Sequence, residues 1–343
     1  MKQERYIRNG KKVGLMAVEM KLPPVLEIIR GNIVKYGNPL ALKGSEISSW
    51  AKGLNLPARG DVLFYTGGEY QLLPYIDSLV KTMTYVDQGS KGFSLMMGAR
   101  NLLNKAGISA EKMYASVLAK DKERYNSVSY KAVVILQKLG YNLCYGGEQE
   151  LYSGALLYEL GYWQDLQEYA PRVANVIKQS GAKTIVCLSP HAAEVFKFVY
   201  PKLLGDFKLE VRTFVEMVWE QRHKLPPLNF NKSVVIHDSC RLARELDIEQ
   251  EIRDILGAVG VQVREAQWRG KWTTCCGGPS KLLFPEVSHT IAGRRVAELE
   301  QTEAEIILTA CPYCLSALEG AQEKESKTAI EDLIEFLYRG VKE

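Results

Sequence analysis

A chain of 343 residues, 46% hydrophobic and 24% charged, is long enough for two hydrophobic cores and long for one. Its 44 basic and 40 acidic side chains are interspersed, and a formal charge of +4 gives no basic stripe that would point to nucleic acid or an anionic membrane surface. Met1 to Lys12 carries scattered Lys and Arg with no apolar segment behind them, so no secretory signal is expected, and no run reaches the ~18 apolar residues of a membrane span. The expectation is a cytoplasmic protein, attached to any membrane complex only through partners. In that compartment thiols stay reduced, and clustered cysteines more often serve metals or redox chemistry than structural disulfides.

Residues 1–60 read as an N-terminal arm with one short helical piece. Pro23-Pro24 blocks an early helix; Gly31-Asn32, Gly37-Asn38-Pro39 and Gly44-Ser45 are turn chemistry, with Ser45 a candidate N-cap for a helix through Trp50. From Asp61 strand and helix alternate. Val62 to Tyr65 is a buried strand ending at Gly67-Gly68, followed by a helix over Leu72 to Lys81. Residues 86–130 read as mostly helical around a loop at Gly89 to Gly92, Lys131 to Leu139 reads equally as strand or helix, and Tyr141 to Gly147 reads as a loop. A helix from Trp163 to Ser180, a strand Thr184 to Leu188, a helix opened by Ser189-Pro190-His191 and a strand Leu209 to Val218 complete this lobe. Lys224 to Asn231, with Pro226-Pro227, is the linker.

The second lobe repeats the order. Ser233 to Ile236 is a strand, and Ile248, Ile252, Ile255 and Val259 share one face of the next helix. Val261 to Glu265 is a strand, a helix with Val287 and Ile291 inward follows, and Ile306 to Leu308 runs into Cys311-Pro312. The last helix carries Ile330, Leu333, Ile334 and Leu337 on one face and stops at Gly340. The fold class is thus α/β: two pseudo-symmetric Rossmann-like lobes with mostly parallel sheets over 61–229 and 230–343, plus the arm over 1–60.

Five of the seven cysteines fall in the second lobe, at three evenly spaced places: Cys240, the pair Cys275-Cys276 before Gly277-Gly278, and Cys311-Pro312-Tyr313-Cys314. The lobes align as diverged copies. Val62 to Gly68 lies over Val234 to Cys240, and Thr184 to Pro190 over Ile306 to Pro312. In that alignment Gly68 faces Cys240, Cys144 faces Cys275, Tyr145 faces Cys276, Ser189 faces Cys311 and Ala192 faces Cys314. The first lobe keeps the architecture without the ligands, as scaffold or docking surface.

This cysteine order resembles the cysteine-rich CCG domain of heterodisulfide reductase catalytic subunits and of the iron-sulfur subunits of glycolate and lactate oxidases. The resemblance is strong in the second lobe and skeletal in the first, and it implies an iron-sulfur cluster held by Cys240, Cys275, Cys276, Cys311 and Cys314. Heterodisulfide reductase has two complete motifs and a non-cubane four-iron cluster; one complete motif here, with Gly37-Asn38-Pro39 and Trp50, is closer to heterodisulfide-reductase-like subunits of sulfur-metabolising electron-transfer complexes. The chemistry agrees: thiolates are soft ligands, five exceed what one structural zinc needs, and Cys311-Pro312 at a strand-to-helix turn offers N–H groups and positive dipole to an anionic cluster.

The expected function is an oxidoreductase subunit. One [4Fe-4S] cluster, cubane or non-cubane, would pass electrons between a ferredoxin-like or flavin-containing partner and a thiol, disulfide or quinone-linked acceptor. Zinc on three or four of the cysteines in a non-redox scaffold, and a cluster-free thiol-disulfide enzyme using Cys275-Cys276, are the alternatives. His237 and Asp238 stand either to relay protons and tune the cluster or simply to be hydrogen-bonded. Arg241, Arg244, Arg269 and Lys271 either surround an anionic centre or form a solvated face, and Trp268 and Trp272 either cover the cluster or pack. Cys144 and Cys187 read as core thiols. No GxGxxG, P-loop or HExxH signature is present.

Overall fold

The computed structural model of the chain describes residues 7–8, 11–12, 24–85 and 121–342. Ile7–Arg8 (β1) and Lys11–Lys12 (β2) form a short antiparallel pair. Everything else is organised on two four-stranded sheets, both wholly parallel. The first contains Val62–Tyr65 (β3), Leu143–Tyr145 (β4), Thr184–Cys187 (β5) and Glu210–Thr213 (β6), in the order β4-β3-β5-β6. The second contains Val234–Ile236 (β7), Val263–Arg264 (β8), Ile306–Thr309 (β9) and Ala329–Asp332 (β10), in the order β8-β7-β9-β10.

Each sheet therefore sets its first strand beside its third, with the second and fourth outside. The register repeats as well: Val62 lies opposite Thr184 as Val234 lies opposite Ile306. The central strands are short apolar runs because helices cover both faces. In such a sheet the crevice for a ligand opens at the carboxyl ends of the strands where the chain departs in opposite directions, here between the first and third strands of each lobe. The loops after β7 and β9 carry Cys240 and Cys311; their counterparts after β3 and β5 carry Gly67-Gly68 and Ser189.

Several local expectations are corrected. Pro24 opens a helix where a block was expected: Pro24–Tyr36 buries Val25, Leu26, Ile29 and Ile33, runs through Gly31-Asn32, and ties to the helix Trp163–Gln179 by Arg30 Nε to Asp165 Oδ2 at 2.7 Å. The helix that begins at Gly44 has Lys43 as its N-cap and gives way to a 3₁₀ turn at Ser48–Ala51. The first-lobe helix runs from Glu69 to Tyr85, longer than expected at both ends. Lys122–Lys138 is a helix, burying Tyr125, Val128, Ala132, Val133 and Leu136 at helical spacing; the rest of the 86–130 reading lies outside the described residues. Tyr141 to Gly147 contains β4. The stretch from Leu209 splits into β6 and a helix Phe214–Glu220, because Thr213 and Glu216 form a capping box that starts the helix. Ile330 belongs to β10, and the final helix runs Leu333–Lys342 through Gly340. In the helix Pro285–Glu300, Val287 is 52% exposed; Ser288, Ala292, Arg295, Val296 and Leu299 face inward.

The lobes are joined by one continuous hydrophobic core and by polar ties. Arg124 pairs with Glu319 at 2.6 Å and with Glu335 at 2.9 Å, and Lys281 Nζ with Asp77 at 2.5 Å. Tyr70 of the first lobe donates its hydroxyl to Asp332 Oδ2 at 2.5 Å, wholly buried. Tyr70→Phe is expected to lower stability by about 1–3 kcal/mol, because it strips a partner from a buried carboxyl. Denaturant unfolding at neutral pH measures it, and an unchanged midpoint would show that the bond does not fasten the lobes.

Candidate metal centre

The loop Cys275 to Gly278 is shaped by its two glycines. Gly277 has φ of +78°, and a Cβ there would sit 2.5 Å from the Ser288 carbonyl oxygen, so only glycine fits. The turn aims two backbone N–H groups at sulfur: Gly277 N donates to Cys275 Sγ at 3.3 Å and Gly278 N to Cys276 Sγ at 3.4 Å. Ser288 Oγ, from the inward face of Pro285–Glu300, donates to the Gly277 carbonyl at 2.8 Å and fixes the loop.

Cys311 stands at the N-cap of the helix Pro312–Ala321, with Pro312 at the first helical position, and Cys314 lies one turn in. The helix dipole therefore favours negative charge on these sulfurs. Cys276, Cys311 and Cys314 are buried, Cys240 is half-buried and Cys275 is exposed. Four of these thiols interact directly: Cys276 with Cys275 and Cys314, and Cys314 with Cys311. Cys240, just after β7, lies close enough to feel the charges of Cys311 and Cys276. The three places in the sequence thus meet in one region whose solvent side is Cys275.

Charge is divided unequally among them. Hydrogen bonds from Cys275 and Cys314, with help from His237, hold the Cys276 thiol well below its ordinary pKa. Burial would push Cys311 up, but hydrogen bonds from Cys314 and His191 leave it well below the usual range. Cys314 and Cys275, the donors in these pairs, are pushed up, as is Cys240 through burial. The surroundings of Cys276 and Cys311 thus favour the thiolate, the form that binds metal.

A ring nitrogen of His237 and the sulfurs of Cys276 and Cys314 lie within 4.8 Å of one another. Behind His237 stands Arg295, the largest fully buried side chain described, which donates Nε to His237 Nδ1 at 3.1 Å and Nη2 to Thr273 Oγ1 at 3.3 Å. Its charge is paired with Glu298 at 2.7 Å. Asp238 holds no such position. It accepts two hydrogen bonds from Arg253, at 2.9 and 3.0 Å, and one from Gly270 N at 2.6 Å, pinning the 265–275 loop to the end of β7.

The first lobe is more than scaffold here. His191, one residue past the loop that matches Cys311-Pro312, packs its ring 4.4 Å from Tyr313, so equivalent positions of the two lobes meet. His191 Nδ1 is 2.5 Å from Glu159 Oε1, and the imidazole also hydrogen-bonds Cys311. Against burial, Glu159 and Cys311 keep His191 well above its ordinary pKa; against burial in turn, His191 and Arg241 keep Glu159 below the usual carboxylate range. Arg241, next to Cys240, pairs with Glu159 at 3.1 Å and with Glu194.

Of the other cations, Arg244 holds the Lys271 and Thr273 carbonyls and still acts on the Cys240 thiol through its charge, Lys271 pairs with Asp247 and Arg269 with Glu265. Trp268 and Trp272, 46% and 79% exposed, line a surface cleft with Glu249, Gln250 and Arg253. Cys144 lies inside β4 with its thiol 3.7 Å from the Gly60 carbonyl, and Cys187 is wholly buried at the end of β5. Cys144 is thus a core thiol in a strand, whereas Cys275 sits in a loop well beyond β8. Sequence reasoning missed His191, Glu159, Thr273 and Arg295. A signal for His191 existed in the alignment of Ser189 to Ala192 with Cys311 to Cys314.

Beside this doubly parallel α/β fold with its clustered thiols, residues 234–319 match the family model of the CCG cysteine-rich domain, and the second lobe is similar to domains of that kind. The chain is 31% identical over 233 residues to a probable iron-sulfur-binding oxidoreductase, FadF, of Bacillus subtilis, covering 63% of this chain and 32% of that protein. It is 27% identical over 255 residues to the EtfAB:quinone oxidoreductase of Syntrophomonas wolfei, covering 70% and 36%. It is also 27% identical over 222 residues to one of the subunits of the dihydromethanophenazine:CoB–CoM heterodisulfide reductase of Methanosarcina mazei, covering 62% and 54%. The chain spans about a third to a half of the length of these relatives. Among the described residues no helix is long and apolar enough to cross a membrane.

Proposed function

We propose that this chain is an iron-sulfur redox subunit that passes electrons between a partner redox protein and a thiol, disulfide or quinone-linked acceptor, through one cluster on Cys240, Cys275, Cys276, Cys311 and Cys314. The observation that carries the reading is the convergence of these five thiols, none of them in a disulfide, with Cys276 and Cys311 biased toward thiolate. The donor set fits: it is all sulfur, larger than a tetrahedral zinc requires, and supplied with N–H groups from Gly277, Gly278 and a helix N-terminus. A bound cluster would supply one-electron transfer and, at any iron with an open position, a place for a substrate sulfur.

The protein's own residues supply the surroundings. Cys276, Cys311 and Cys314 form the dry side of the site, and the exposed Cys275 forms the side from which electrons enter. The relatives' names support a partner that is itself a redox protein, ferredoxin-like or flavin-containing.

One observation favours a second reading. His237, Cys276 and Cys314 are close enough to hold a single zinc ion, which would make the chain a structural subunit. Protein purified without oxygen and assayed for iron, acid-labile sulfide and zinc separates the two. The first predicts iron with matching sulfide and an EPR signal in one oxidation state; stoichiometric zinc without iron would sink it.

A further inference from the structure

The Nδ1 lone pair of His237 is already taken by a neighbouring side chain. Arginine's guanidinium carries only donors, so a hydrogen bond from Arg295 Nε to His237 Nδ1 at 3.1 Å occupies the Nδ1 lone pair. A neutral imidazole whose Nδ1 accepts must carry its hydrogen on Nε2. Nε2 is buried and has no hydrogen-bond partner among the described residues. A buried N–H left unpaired is costly, and a ring nitrogen of His237 lies within 4.8 Å of the sulfurs of Cys276 and Cys314. Arg295 cannot turn away cheaply: it is 1% exposed and held on its other side by Thr273 and Glu298.

We infer that His237 is a hydrogen-bond donor to the sulfur of the metal centre at Cys276, locked in its Nε2–H form by Arg295, and not a metal ligand. Arg295 is a positioning residue that acts through the ring. His191 is built the other way, with a carboxylate behind Nδ1, so the two histidines at the site are not interchangeable. The inference rests on the iron-sulfur reading. An N–H on a cluster sulfur stabilises the more negative, reduced state, so its loss lowers the reduction potential.

The test is an EPR-monitored redox titration of iron-loaded protein, with iron and sulfide content measured on each variant. His237→Leu removes the donor, while His237→Gln keeps an N–H near the position of Nε2. The Leu variant is expected to make reduction tenfold or more less favourable, about 59 mV for a one-electron couple, and the Gln variant to recover most of that. Arg295→Lys, also a pure donor, is expected to stay close to wild type. Equal shifts in the Leu and Gln variants, or none in either, would overturn the inference at full iron content. Zinc in place of iron would overturn it together with the reading beneath it. Pulsed EPR of wild-type protein carrying nitrogen-15 histidine needs no variant: weak coupling from the His237 ring is expected, and strong coupling of the directly ligated kind would overturn the donor role.

Discussion

Cys276→Ser is expected to leave a folded protein that has lost or altered its cluster, while Cys187→Ser keeps the visible spectrum and EPR signal intact. Both thiols are buried, so burial alone predicts equal effects. Their surroundings differ. Cys187 ends β5, and burial, with the charges of Glu69, Glu150 and Glu216 adding to it, pushes its thiol well above the ordinary range. Cys276 accepts from Gly278 N, touches Cys275 and Cys314, and is held toward thiolate. A hydroxyl at that place keeps the loop's hydrogen bond but loses the soft donor iron requires. Iron content, absorption and EPR after anaerobic reconstitution measure the difference, and equal spectra for the two variants would remove Cys276 from the ligand set.

The parts of the fold that could be read from sequence were those in which short-range pattern and tertiary role agree. Val62 to Tyr65, Thr184 to Cys187, Val234 to Ile236 and Ile306 to Leu308 are apolar runs because they are central strands, covered on both faces. Edge strands carry less signal. β4 is three residues long between Asn142 and a Gly-Gly pair, and so reads as a loop. β10 merges with the helix after it because Ile330 happens to stand three residues before Leu333; only pairing with β9 makes it a strand. The cysteines could be picked out by residue type and spacing, since few other uses need five thiols in that order. The groups around them could not. Arg295 lies on a helix with many polar residues, and nothing local says that this arginine turns inward to meet a histidine 58 positions away. His191 needed both the duplication and knowledge that the two crevices face each other, and Glu159 matters only through His191 and Arg241.

Stability of the metal-free protein is expected to fall as pH rises from about 5 to about 7, and buried carboxyls set the sign: Glu69, Asp332 and also Glu150, which burial pushes to about 8. Glu69, wholly buried with Oε2 accepting from Ser189 at 2.5 Å and Oε1 without a partner among the described residues, is pushed from 4.5 to about 7 by burial. Asp332 is pushed from 3.8 to about 7 by burial, against hydrogen bonds from Tyr70 and Ile334 N. Between their ordinary values and about 7 the folded protein holds both protons and the unfolded chain has released them. Each group then removes stability as pH rises, by at most roughly 1.4 kcal/mol per pH unit. On the acid side the slope reverses, because Glu159, held low by His191 and Arg241 against burial, loses its ion pairs when protonated. Urea unfolding across this range should give a maximum near pH ~5, and Glu69→Gln with Asp332→Asn should flatten the fall and raise stability at pH ~8. Stability that climbs from pH ~5 to ~7 in the wild type would mean that these buried carboxyls are ionised in the folded protein, with the tie between Tyr70 and Asp332 carrying a charge across the junction of the lobes.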